Sequence, residues 1–196
     1  MPDGGSTGIG ASVKRKEDYR FLVGQGNYTD DINRPNQTYT YMLRSSSAHA
    51  KFSLDTTKAS EAKGVVKIFV GTDMDVGSIP CGWQVDSKDG TPMREPAHPP
   101  IAKDKVRYVG EIIAVIIAET LEDAKNAAEL IDVNYEDIPV IIDMQEALNN
   151  ANGLVHDEIE SNVCYDWEIG DSEAVDKAIS EAAHITTLDV RNNRLI

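Results

Sequence analysis

The clearest shortage in this 196-residue sequence is of basic residues. Lysine and arginine together number 19, against 33 aspartates and glutamates, and the formal net charge at pH 7 is −14. Because a protein that binds a nucleic-acid phosphate backbone needs a basic face, this balance argues against nucleic-acid partners. The plainer interpretation of the acidic excess is that it keeps the protein in solution.

Long hydrophobic runs are also missing. No window is apolar for the roughly 18 residues that a membrane-spanning helix needs, so no span is predicted. The N-terminus lacks the hydrophobic region of a secretory signal, and we therefore expect a cytoplasmic protein.

Cysteine is scarce, and the histidines have no partners in sequence. The two cysteines, Cys81 and Cys164, are far apart and form no Cys-x-x-Cys motif, so both are predicted to be free thiols. The four histidines show no metal-ligand spacing with these cysteines and no Gly-x-Ser-x-Gly partner. Neither a metal site nor a hydrolytic triad is predicted.

The centre of the chain predicts the core of the fold. It contains a short apolar strand over 106–109, a strand over 112–118 buried on both faces, and a helix capped by Thr120. Alanines at helical spacing allow that helix to lie close to a sheet. A further strand is predicted over 132–135, followed by a segment that ends regular pairing at Pro139.

The flanking segments extend this α+β pattern. Before the centre, alternation of apolar and polar residues predicts strands over 38–44 and 51–55, and a third strand is predicted over 65–70. After it, strands are predicted over 163–169 and 185–190, with a helix between them that Ser172 or Asp171 caps. The fold class is therefore α+β.

One segment, residues 77–100, has no periodicity at all, and we call it the proline-rich loop. It holds five of the eight prolines of the chain. Loops of this length are usually functional or disordered. Trp83 lies within it: an exposed tryptophan would indicate a contact surface, and a buried one would only anchor the loop. The sequence leaves both interpretations open.

The order of several short motifs is similar to that of a known family. The motifs, in sequence order, are Gly8-Ile9-Gly10-Ala11, the run from Arg15 through Arg20-Phe21-Leu22 to Tyr28, Arg44-Ser45 before Ala48-His49-Ala50, Asp55-Thr56 before Gly64-Val65, Ala102-Lys103-Asp104 before Arg107-Tyr108-Val109-Gly110-Glu111, and Asn162 before Gly170-Asp171. This series resembles the N-terminal part of the molybdopterin-binding large subunit of the xanthine dehydrogenase/aldehyde oxidase family. It looks closest to the carbon monoxide dehydrogenase-like large subunits.

The resemblance implies a domain plan and a chemistry. Residues 1–19 would be an extended Gly-rich arm, residues 20–147 an α/β-hammerhead domain, and residues 148–196 a linker, strand, helix and strand that start the first molybdopterin-binding domain. The family's enzymes are molybdenum hydroxylases, oxidoreductases that oxidise carbon monoxide, aldehydes or N-heterocycles. Their cofactor is molybdopterin, here expected as molybdopterin cytosine dinucleotide, with iron–sulfur clusters and FAD on partner subunits or domains.

The same resemblance assigns no catalytic, cofactor-binding or metal-binding residue to this chain, because those motifs lie beyond its length in the family. The chain alone is therefore expected to be inactive. Its implied role is structural: to pack on the cofactor domains of the molybdenum subunit, within an oligomeric assembly with iron–sulfur and FAD subunits. Cys81, Gly82 and Trp83 match positions that line the family's substrate funnel.

Two other interpretations remain open. The chain could be a stand-alone hammerhead-fold binding module, or a split subunit completed by a separate cofactor-bearing chain. A stand-alone module should bury the apolar side chains of residues 163–196, whereas a portion of a larger assembly should expose them.

Overall fold

The computed structural model describes residues 15–190. The predicted arm, residues 1–19, lies outside the described residues except for its last five, and the first helix already includes two of those. The final six residues of the sequence also lie outside the described part, so the predicted C-terminal domain segment is described only as far as Val190.

The described chain contains both helices and strands, in agreement with the predicted α+β class. The elements are α1 (Asp18–Leu22), β1 (Tyr39–Arg44), β2 (Ala50–Asp55), α2 (Thr57–Ser60), β3 (Val65–Val70), β4 (Lys105–Val106), β5 (Ile112–Ala118), α3 (Leu121–Glu129), β6 (Asp132–Asp137), α4 (Met144–Leu148) and α5 (Ser172–Ser180). Short 3₁₀ turns occupy Thr29–Asp31 and Gly71–Asp73.

The strands predicted from alternation before and within the core are formed. In β1, every second side chain is partly buried and the others are exposed, as period-two alternation requires. The strand predicted over 106–109 is shorter than expected, because β4 ends at Val106. Gly110 adopts a φ of +91°, and the Glu111 amide turns back to the Tyr108 carbonyl, so the chain leaves the strand early.

The strands form two small sheets. Their orders are β1-β5-β3 and β4-β2-β6. Strands β2 and β4 are antiparallel, with Ala50 opposite Val106 and Lys51 opposite Lys105. The described residues divide into two compact units. The first contains the residues up to Met42 together with Asp55–Ile68 and Val115–Asp132. The second contains Leu43–Leu54, Phe69–Ala114 and the residues from Val133 onward.

The second unit has a compact apolar core. Ala50, Ala102, Val106 and Ile113 are buried at its centre. Partly buried side chains pack around them from β1, β2 and β6, and these are Leu43, Phe52, Leu54, Val133 and Tyr135. The inward-facing residues of β2 therefore pack as their alternation predicts.

Helix α3 belongs to the first unit and follows its sequence signals closely. The Thr120 hydroxyl accepts a hydrogen bond from the Asp123 amide at 3.0 Å, which confirms the predicted N-cap. The predicted stripe of alanines, Ala124, Ala127 and Ala128, is buried. Helix α2 contacts α3, and small side chains on both helices permit the close approach.

Two predicted strands after the core are absent. Residues 163–169 and 185–190 have no ladder partner within the described part of the chain, although both segments alternate in sequence. The prediction was wrong because alternation sets which side chains share a face but does not supply a neighbouring strand.

Helix α5 is formed where the sequence predicts it. The Asp171 carboxylate accepts from the Ala174 amide at 2.9 Å, so Asp171 rather than Ser172 is the cap. None of its side chains is buried, and the apolar members Val175 and Ile179 are 54% and 50% exposed. No helix within residues 15–190 is long and apolar enough to cross a bilayer.

Residues 150–162, which we call the connector, form a closed loop after α4. Asn162 organises it: its amide group bonds the Val155 amide and the Gly153 carbonyl, while its own backbone N–H donates to Asn150. An ion pair between Lys105 and Asp157 joins the connector to β4. The Lys105 side chain is only 10% exposed, whereas that of Asp157 is 72% exposed.

We expect Gly71→Ala to destabilise the fold. A Cβ at this position would lie 2.3 Å from the Ala102 carbonyl oxygen, so backbone would have to move. The expected loss in the free energy of unfolding is about 1–3 kcal/mol, measured by urea denaturation. Gly77→Ala is the matched control, because its Cβ would contact nothing. Equal stability of the two variants would contradict the close contact.

We also expect Asp157→Asn to cost about 1–2 kcal/mol at pH 7, because it leaves the Lys105 ammonium buried without its counter-charge. The Lys105 hydrogen bond holds the pKa of Asp157 below its usual range. The ion pair thus contributes above the ordinary aspartate pKa of about 3.9 and is lost as the pH falls through the lower folded-state value.

The measurement is urea denaturation of the wild type and Asp157→Asn at several pH values. The stability difference between them should be constant above about pH 4 and should disappear in stronger acid. A difference that already vanishes at pH 6 would show that another group is responsible.

Candidate functional site

The proline-rich loop is an ordered structure without regular elements. Its tip is a tight hairpin in which Asp86 bridges to Pro92, the Ser87 amide donates to the Thr91 carbonyl at 2.8 Å, and the Met93 amide donates to the Val85 carbonyl at 3.0 Å. No periodicity is visible in these residues because so short a hairpin holds too few of them to show one.

Residues 163–166 run along this hairpin and hold it. The Arg94 amide donates to the Cys164 carbonyl at 2.9 Å, and the Lys88 amide donates to the Asp166 carbonyl at 2.7 Å. Lys88 and Asp166 also form an ion pair at 2.9 Å, which raises the pKa of the Lys88 ammonium. The segment that fails to become a strand is therefore extended and bound to the loop.

The three funnel candidates, Cys81, Gly82 and Trp83, lie consecutively near the base of the loop. The Glu95 carboxylate accepts from the Cys81 amide and, at 2.6 Å, from the Gln84 side chain. These two bonds hold the pKa of the Glu95 carboxyl below its usual range. The turn that carries the candidates is thereby tied to the returning arm of the loop.

A cavity of about 330 Å³ opens beside these residues. Its lining includes Cys81, Met93, His98, His156 and Cys164. Trp83 does not line this cavity; it is 78% exposed, which favours the contact-surface interpretation over the anchoring one. Both cysteines are free, as predicted, and the structure shows that they are exposed. They line the same cavity despite their separation in sequence.

A second cavity, of about 230 Å³, lies next to a group of charged side chains that sequence reasoning missed. Arg107, Glu111 and His156 line it, and the Arg107 amide donates to the Glu111 carboxylate at 2.5 Å. Arg107 and Glu111 are the first and last residues of the Arg107-Tyr108-Val109-Gly110-Glu111 motif. They lie near His156 only because the connector folds back over them, which the motif does not predict.

The polar atoms around this cavity are incompletely paired. Arg107 Nε and His156 Nδ1 are buried without a hydrogen-bond partner, and the nearest carboxylate oxygen to His156 Nδ1 is that of Glu158 at 3.5 Å. Burial, and then the Arg107 charge, hold the pKa of His156 below its ordinary value, so its imidazole is neutral at pH 7.

Metal binding has no support among the described residues. No group of three or more His, Cys, Asp or Glu side chains within 15–190 could hold a metal ion. The exposed tryptophan of the loop offers contact area.

Comparison with known proteins gives this architecture a family. A model described as "Aldehyde oxidase and xanthine dehydrogenase, a/b hammerhead domain" matches residues 23–139. The carbon monoxide dehydrogenase large chain of Afipia carboxidovorans is 30% identical over 89% of this chain and 22% of its own length. Subunit gamma of the 6-hydroxypseudooxynicotine dehydrogenase complex of Paenarthrobacter nicotinovorans is 30% identical over 99% of this chain and 25% of its own length.

A solved structure agrees with these relatives. The Cu,Mo-CO dehydrogenase in its carbon monoxide reduced state superposes with a TM-score of 0.71 at 28% identity, covering 88% of this chain and 22% of that chain. The chain thus spans about a fifth to a quarter of the length of the relatives it matches. On the family model and these similarities, the chain belongs to the aldehyde oxidase and xanthine dehydrogenase family, and its residues 23–139 are the hammerhead domain.

Proposed function

We propose that this chain is the N-terminal structural portion of a molybdenum hydroxylase large subunit. It packs on cofactor-bearing domains and contributes to the wall of the substrate entrance. In this proposal residues 20–147 form the hammerhead domain and residues 148–196 begin the first molybdopterin-binding domain. The substrate class is that of the family: carbon monoxide, an aldehyde or an N-heterocycle.

The observation that carries the proposal is the exposure of apolar side chains after the hammerhead domain. We call them the C-terminal apolar surface, and they are Tyr165, Trp167, Ile169, Val175, Ile179, Ile185, Leu188 and Val190. Each is exposed by more than two-fifths of its surface. Exposed large apolar side chains concentrated in one segment of a chain indicate an interaction surface.

This surface favours a portion of a larger assembly over a stand-alone binding module. A module that folds for itself would gain about 25 cal/mol for every Å² of apolar area that it buried, and here that area remains in water. A split subunit completed by a separate cofactor-bearing chain would show the same surface and remains the alternative. One relative is itself named as a subunit of a complex, which supports a multi-subunit assembly. The proposed assembly includes iron–sulfur and FAD subunits.

The cofactor belongs to the assembly and not to this chain. Molybdopterin, proposed in its cytosine dinucleotide form, would supply the redox chemistry from the domains that follow. The described residues offer no metal-ligating cluster, so we assign them no chemical step. Their contribution is to exclude water and to shape the approach to the reacting centre.

The entrance role rests on the proline-rich loop. Cys81, Gly82 and Trp83 form a turn that Glu95 fixes, and the Trp83 indole projects into solvent from it. An exposed aromatic ring on a tied loop gives a large contact area at a small cost in conformational entropy. That combination suits a surface along which a substrate passes.

The packing role predicts the effect of Val175→Ser combined with Ile179→Ser. In the complete enzyme these changes should weaken association with the cofactor domains by about 3 kcal/mol or more, because two buried aliphatic side chains are lost. The measurement is the yield of assembled, molybdenum-containing enzyme. In the isolated chain the unfolding free energy should change by less than about 0.5 kcal/mol, since both side chains are exposed there.

Lys177→Ser is the matched control, because Lys177 lies on the same helix and its side chain is 73% exposed. It should leave the assembled yield unchanged. Normal assembly of the double variant would contradict the packing role, and so would equal loss of assembly in the Lys177 control.

The entrance role predicts the effect of Trp83→Ala in the complete enzyme. We expect KM to rise about threefold to tenfold, which corresponds to the roughly 0.7–1.4 kcal/mol of one aromatic contact, with kcat little changed. Steady-state kinetics would measure this. Tyr19→Ala, which removes a similarly exposed aromatic ring outside the loop, is the control. Unchanged kinetics in Trp83→Ala would exclude the loop from the entrance.

A further inference from the structure

The connector is attached to the rest of its unit through an unusual group of polar side chains. The buried side-chain nitrogens found without a hydrogen-bond partner in the described residues are His49 Nε2, Arg107 Nε and His156 Nδ1. The charge of Arg107 lowers the pKa of His156. Arg107 and His49 both lower the pKa of Asp157. Buried groups in this state cost free energy, so this contact is under-stabilised relative to ordinary packing.

The packing beneath the connector is also incomplete. The 230 Å³ cavity lies between Val155 and His156 of the connector and the segment from Arg107 to Glu111. A space of that size leaves part of the contact without packed atoms, so apolar burial holds the connector only weakly. The Lys105–Asp157 ion pair is then a principal attachment.

The connector itself can persist as a unit. Asn162 bonds to Asn150, Gly153 and Val155, and the Asn150 side chain donates to the Glu160 carbonyl at 3.4 Å. All these bonds are internal to residues 150–162. The loop can therefore separate from the segment beneath it without losing its own hydrogen bonds.

We infer that the connector is a pH-sensitive latch, closed at neutral pH and loosened when a proton binds His156. In the closed state the imidazole is neutral and lies close to the Arg107 guanidinium. A proton would place a second positive charge beside Arg107 in a partly buried site. Glu158 and Glu111 attract that charge, but burial and Arg107 outweigh them.

The direction of the response follows from linkage. The pKa of His156 is lower in the closed state than the ordinary value of about 6.5 that it regains on opening. The open state therefore binds the proton more strongly, and acid favours opening below about pH 6.5. Because one proton is involved, the opening equilibrium can rise at most tenfold per pH unit, and it levels off below the closed-state pKa.

Two other groups near the latch act outside this range. The pKa of Asp157 and that of Glu158 both lie below their usual values, so these carboxylates stay ionised while His156 titrates. A change between pH 7.5 and 5 is therefore not due to these carboxylates. His98 lines the same cavity and His49 acts on Asp157, so the His156→Gln variant is what assigns the response to His156.

The test is NMR relaxation dispersion of the backbone amides of the full chain between pH 7.5 and 5, with hydrogen-exchange protection factors of β5 as the check on global unfolding. Amides of residues 153–158 should show an exchange contribution that grows several-fold as the pH falls, because the loop moves against the segment beneath it while its own hydrogen bonds stay intact, and the amides of β5 should keep their protection. His156→Gln, which stays neutral, should remove the pH response. Arg107→Gln should weaken it, because the repelling charge is gone.

His184→Gln is the control, since His184 is an exposed imidazole whose ring bonds only locally to Thr186. It should respond to pH as the wild type does. A flat profile in the wild type would overturn the latch, as would an unchanged response in His156→Gln. Loss of protection in β5 over the same range would also overturn it, because the event would then be global unfolding.

Discussion

Burial of one strand, β5, is the constraint on which the rest of the described structure depends. Its seven residues are all apolar, and none is exposed. Such a strand is stable only if both faces are covered, so it needs neighbouring strands at both edges and packed side chains above and below. The order β1-β5-β3 supplies the neighbours, and Ile113 extends the strand into the apolar core of the second unit.

The residues after the hammerhead domain form local structure without such burial. Helix α5 has a cap and an amphipathic sequence, yet none of its side chains is buried in the described chain. The extended segment beside it is held by the proline-rich loop through backbone bonds rather than by a hydrophobic core. Local structure can thus form where tertiary burial is missing, because capping and main-chain bonding need only nearby residues.

Different parts of the second unit are stabilised by different interactions. Its core uses aliphatic side chains, whereas the loop, the connector and the region between β4 and the connector rely on ion pairs, carboxylate acceptors and asparagine. Such contacts are specific in geometry but modest in net free energy. Segments attached in this way can open locally at a lower free energy than strands buried in an apolar core.

Much of the fold was predictable from the sequence alone. Alternation predicted β1 and β2, an unbroken apolar run predicted β5, and Thr120 with the alanines after it predicted α3, because each of these signals acts over a few neighbouring residues. The order of motifs also identified the family. Only the tertiary structure decided that 163–169 binds the loop instead of pairing as a strand, that Cys81 and Cys164 share a cavity, and that His156 folds back beside Arg107. Those outcomes join residues about 50 to 80 positions apart, and whether such segments meet depends on closing the chain between them, which no local pattern encodes.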